Sequence, residues 1–97
     1  MYLILYNSSS TFKNIRIANE IKQKYKQWAV LSDNSFVIVS TDAAAQVRDD
    51  LQTHIGKGDK LFVTKITPPA AWIGYTKQVS DWLKKIYTQE RDSKKEY

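Results

Sequence analysis

Trp28-Ala29-Val30-Leu31-Ser32-Asp33-Asn34-Ser35-Phe36-Val37-Ile38-Val39-Ser40 divides into two apolar runs separated by a polar pair. Branched and aromatic residues suit a pleated, half-buried surface, so the runs predict strands over about 28–32 and 35–40. Asp33 and Asn34 tolerate a positive φ, and two such residues between strands predict a hairpin. Along the second run Phe36 and Ile38 point one way while Val37 and Val39 point the other. A strand that is apolar on both faces belongs in the interior of its sheet.

On the amino-terminal side, Ile15, Ile17, Ala18, Ile21, Tyr25 and Trp28 fall within an arc of about 160° at 100° per residue, which predicts an amphipathic helix from Thr11 to about Gln27. Lys13, Arg16, Glu20 and Lys24 occupy its other face, and the hydroxyl of Ser10 or Thr11 is placed to cap its first turn. Before it, Met1-Tyr2-Leu3-Ile4-Leu5-Tyr6 reads as a buried strand that ends in a turn at Asn7 and three serines. On the carboxyl side, Thr41-Asp42 is placed to cap a second helix carrying Ala44, Val47, Leu51 and Ile55, with Gly56 as a left-handed stop. Gly56-Lys57-Gly58-Asp59 then predicts a turn, Leu61 to Ile66 a fourth strand, and Pro68-Pro69 its end. Val79, Trp82, Leu83, Ile86 and Tyr87 predict a third amphipathic helix that starts near Thr76.

The order βαββαβ, joined by right-handed crossovers, predicts an α+β fold of the ferredoxin-like kind: a four-stranded antiparallel sheet with two helices on one face, plus the C-terminal helix. Residues 1–89 are expected to form one domain and residues 90–97, which lack an apolar stripe, a flexible charged tail. A sheet with both helices on one side leaves its opposite face to be covered by the third helix, by the Trp72 segment or by a second copy of the chain.

With 97 residues and 42% hydrophobic content, the chain suits one core of modest size. It contains no cysteine, which excludes disulfides and thiolate metal sites. No apolar run approaches the ~18 residues of a membrane span, and the amino terminus lacks a basic segment followed by a long apolar one. These features lead to the expectation of a soluble, cytoplasmic protein that makes no membrane contact. Fifteen Lys and Arg against ten Asp and Glu give a net charge of +5. The excess lies toward the ends: +3 over residues 1–41, zero over 42–76 and +2 over 77–97. Such a distribution serves solubility, and it is also the electrostatic footprint of a protein that meets a polyanion.

Candidates for chemistry are few. Asn7 follows the first strand directly, at the carboxyl end where ligands meet many open sheets, yet its neutral carbonyl oxygen holds Mg²⁺ poorly, and the residue reads first as a turn former. His54 is the only histidine and the one side chain whose ordinary pKa suits proton exchange near neutrality, but with no second histidine and no activated nucleophile beside it, it reads as a partner for the last carbonyls at a helix end. Asp42 reads as a cap, and Asp49 and Asp50 as solvent-facing. Glu20, Asp33 and Asp81 add no ligand motif. The pair Gly56-Lys57-Gly58 lacks the spacing of a phosphate loop and follows a helix instead of preceding one, so it reads as a turn. Trp28 and Trp82 fall on core-facing stripes, whereas Trp72, in a loop after two prolines, is the candidate interface anchor.

Taken together, Tyr2-Leu3-Ile4-Leu5-Tyr6-Asn7, the Trp28 to Val39 hairpin, Gly58-Asp59-Lys60-Leu61-Phe62-Val63, Ala70-Ala71-Trp72-Ile73-Gly74 and Trp82-Leu83 resemble small bacterial and phage proteins of the SinR-like kind. Those are similar to the small CRISPR-associated adaptation subunit and to VapD-type toxins. The resemblance spans about residues 1–87. It implies a homodimer of ferredoxin-like domains, in some members a metal-dependent nuclease using an Asp after the first strand, and in others a scaffold holding duplex DNA through basic residues. The position matching that Asp is Asn7 here.

The expectation is therefore a non-catalytic homodimeric interaction module whose sheets meet across an apolar interface, without a resident cofactor. Lys13, Arg16, Lys24, Lys94 and Lys95 are its candidate phosphate contacts. Two alternatives stay open: a metal-dependent ribonuclease or endonuclease in which Asn7, with Asp33 or Asp59, orients a hydrated Mg²⁺ ion, and a protein-binding inhibitor carried by a phage or mobile element.

Overall fold

The computed structural model describes residues 1–8 and 11–95, with side chains described for residues 1–8 and 14–90. Strands β1 (Tyr2–Asn7), β2 (Trp28–Ser32), β3 (Ser35–Ile38) and β4 (Lys60–Lys65) alternate with helices α1 (Thr11–Lys24) and α2 (Ala44–Gln52), and α3 (Lys77–Lys95) follows. The result is an α+β fold built on one four-stranded antiparallel sheet of order β2-β3-β1-β4. The hairpin places β3 inside the sheet, as its two apolar faces require.

Strand alternation sends Tyr2, Ile4 and Tyr6 of β1 with Phe36 and Ile38 of β3 to one face, where Ile17 and Ile21 of α1 and Val47 and Leu51 of α2 close over them. The other face, carrying Leu3 and Val37, lies under Leu83 and Ile86 of α3, with Trp72, Val79, Trp82 and Tyr87 around them. Of the three candidate covers for this face, the chain's own third helix and the Trp72 segment are the ones seated on it. Thr76 starts α3 by accepting a hydrogen bond from the Val79 N–H at 3.2 Å.

Several local details differ from the sequence reading. α1 stops at Lys24, so Trp28 opens a strand and does not extend the helical stripe, and Ile15 stands 52% exposed. Asp33 and Asn34 turn the chain without a positive φ; an irregularity in register between Val30 and Ser32 adjoins the turn, and such bulges add the twist that an ordinary turn does not supply. Thr41 and Asp42 do not cap α2. Its N-cap is Ala43, and Asp42 instead accepts a hydrogen bond from the Tyr2 hydroxyl at its carbonyl, 2.5 Å, while its N–H donates to Ser40 Oγ. α2 ends at Gln52 with Thr53 still in right-handed geometry, and the left-handed glycines are Gly58 and Gly74 rather than Gly56. α3 extends through Lys95, into the segment that composition assigns to a tail.

Candidate functional site

The carboxyl end of β1 carries two neighbours with opposite surroundings. Tyr6 is fully buried against α1 and α2, and its hydroxyl donates to Asp59 Oδ2 at 2.7 Å. The same carboxylate oxygen accepts the Gly56 N–H at 2.7 Å, and the Asp59 N–H returns to the Gly56 carbonyl at 3.1 Å, so Asp59 locks the turn leading into β4. Burial pushes the Tyr6 phenol above its ordinary pKa, and the adjoining Asp59 carboxylate adds to the shift. Asn7 pairs with Lys60 across the strands and, by alternation, belongs to the opposite face of the sheet, where it is exposed.

This arrangement bears on the metal alternative. Asn7 and the Tyr6–Asp59 pair are separated by the thickness of the sheet, and Asp33 stands exposed in the hairpin turn. Among the described residues, no group of three or more His, Cys, Asp or Glu side chains is gathered where it could hold a metal ion. His54 is half-buried with Nε2 3.3 Å from Glu20 Oε1, tying the end of α2 to α1 through its ring instead of capping carbonyls with it.

The basic candidates are divided between layers. Arg16 is exposed on α1, and Lys24 sits 3.6 Å from the Asp50 carboxylate of α2. Lys13 shares α1 with them, and Lys94 and Lys95 belong to α3 beyond the opposite face of the sheet; the side chains of these three lie outside the described residues.

Trp72 is half-buried within its own chain. Its ring stacks on Tyr87 with centroids 5.9 Å apart, and its Nε1–H donates to Ser80 Oγ at 3.0 Å, fastening the loop after β4 to α3. Burial raises the Tyr87 phenol above its usual range. Beside Trp72, Ile73 is 95% exposed.

The remaining apolar exposure on the sheet is a cross-strand pair. Leu5 of β1 and Phe62 of β4 are directly opposite each other on the face that α3 covers elsewhere, and they stand 42% and 61% exposed. Phe62 belongs to an edge strand. Comparison with known proteins adds no relative: no family model, curated protein or solved structure matches the chain. The sequence reading predicts a strand over Leu61 to Ile66 but assigns it neither an edge nor an exposed face, so it does not single out Phe62. The available signal was the lysines at 60 and 65, since charged ends commonly mark an edge.

Proposed function

We propose that this chain is a non-catalytic homodimeric interaction module with a ferredoxin-like core, and that its basic surface contacts nucleic acid. The observation carrying the reading is the Leu5–Phe62 pair, an aromatic and an aliphatic side chain left in water beside an open sheet edge, where apolar exposure marks a contact surface. The strand order β2-β3-β1-β4, with α1 and α2 on one face, supports the ferredoxin-like assignment. On this reading the chain shares the core of the small CRISPR-associated adaptation subunits that it resembles, without a carboxylate at Asn7 for metal chemistry. The net charge of +5 and the exposed Arg16 support the polyanion contact.

The test combines solution mass with a nucleic-acid mobility shift. The dimer requires a mass of twice 11.2 kDa at raised concentration. Three phosphate contacts from α1 require affinity to fall roughly 40-fold between 50 and 200 mM salt. A chain that is monomeric at all concentrations overturns the dimer; an absent or salt-insensitive shift overturns the polyanion contact.

A further inference from the structure

We infer that two copies of this chain join β4 to β4 in antiparallel, about a two-fold axis that passes between their Phe62 residues, to give one continuous eight-stranded sheet. The inference rests on the homodimeric reading above and names its geometry.

Hydrogen-bond phase leads to the edge. The Ile66 N–H donates to the Met1 carbonyl at 3.0 Å, and Thr64, Phe62 and Lys60 pair in step with Leu3, Leu5 and Asn7. Even-numbered residues of β4 therefore turn their backbone groups toward β1, while Leu61, Val63 and Lys65 turn theirs outward. Among the described residues, no further strand follows β4, and the N–H and C=O groups of Leu61 and Val63 have no partner on that side. Backbone donors and acceptors in a row beside exposed apolar surface are a template for another strand.

Register follows from the same phase. Outward residues must face outward residues, so in a self-pairing an odd number lies opposite an odd number. The two-fold axis then stands perpendicular to the sheet and keeps α1 and α2 of both copies on one side. Centring on Leu61 brings Lys65 opposite the partner's Lys57, a repulsive pair. Centring on Val63 sets Phe62 against the partner's Thr64 and separates the aromatic rings. Centring on Phe62 brings Lys65 opposite the partner's Asp59 and Lys60 opposite the partner's Thr64, so opposite charges meet at both ends and no lysines confront each other. Leu5, Phe62 and their two counterparts then form one apolar row across four strands. Phe62 occupies a non-hydrogen-bonded pair in this register, where Cα atoms approach to about 4.5 Å and side chains are in closest contact.

The absence of cysteine from these 97 residues allows a direct test by oxidative cross-linking of single-cysteine variants of the chain, beside the solution mass of the unaltered chain. In Phe62→Cys the two sulfurs come within disulfide reach. In Thr64→Cys, on the same face, the two positions lie four residues apart along the ladder, about 13 Å, beyond reach. Covalent dimer forming at least tenfold faster in Phe62→Cys than in Thr64→Cys is the expected result. A dimeric mass with no such preference overturns the β4 geometry and leaves the homodimer standing. A monomeric mass at every concentration overturns both.

Discussion

Replacing Ile86 with alanine tests whether α3 holds the sheet face on which it is seated. Ile86 is 2% exposed and packs in the cluster that includes Met1, Val37 and Leu83. The substitution removes three carbons; at about 0.8 kcal/mol each the transfer loss is about 2.4 kcal/mol, and incomplete collapse of the cavity brings the total to about 2–5 kcal/mol. For a domain of this size the melting temperature should fall by roughly 10–25 °C. Ile73→Ala is the control. At 95% exposure it has almost no packing to lose, and its change should stay within about 0.5 kcal/mol. Urea unfolding followed by tryptophan fluorescence reads both, because Trp72 and Trp82 lie in the same cluster as Ile86. A loss below about 1 kcal/mol in Ile86→Ala, or equal losses in the two variants, would refute the packing of α3 and return the whole sheet face to solvent or to a partner.

Two more outcomes follow from the opposite face. Tyr6→Phe removes the 2.7 Å donation to the Asp59 carboxylate and should cost about 1.5–3 kcal/mol in urea unfolding at an unchanged slope; a neutral result would show that Gly56 alone fixes the turn. Tyr25 is held up to about 12, first by burial and then by the Asp50, Asp42 and Glu20 carboxylates, against an ordinary value of 10.0. Between these values the unfolded phenol loses its proton while the folded one keeps it, so its contribution is intact below pH 10 and is lost as pH rises toward 12. The Tyr25 hydroxyl has no hydrogen-bond partner, so Tyr25→Phe should be near neutral at pH 7 and should flatten the alkaline decline; an equally steep decline in the variant would reject that origin.

The parts legible in sequence are those where periodicity reports local geometry. Ile17, Ile21, Val47 and Leu51 lie on helical stripes and are all buried, and the alternation of Phe36 through Ile38 correctly puts β3 inside the sheet. Local rules were weaker wherever a distant group competed for the same atoms. Asp42 leaves its capping role with its carbonyl engaged by Tyr2, forty positions away in sequence, and Asp59 looks like an ordinary turn residue until Tyr6 is brought to its carboxylate. Trp72 offered an aromatic ring in a loop with no periodicity to orient it; Tyr87 and Ser80 supply its partners. Asn7 was legible as a residue and as a strand end, but its separation from Asp59 depends on which side of the sheet each occupies.

By itself, the sequence determined the number and order of the elements, the hairpin and the excess of positive charge, because hydrophobic spacing and turn chemistry act over a few residues. Only the tertiary structure decided that α3 covers the second sheet face and that Phe62 remains in water on an edge. The physical reason is that an apolar side chain at a given strand position has the same local pattern whether a neighbour covers it or not. Its burial depends on which strand lies beside it and how far a helix from elsewhere in the chain extends across it.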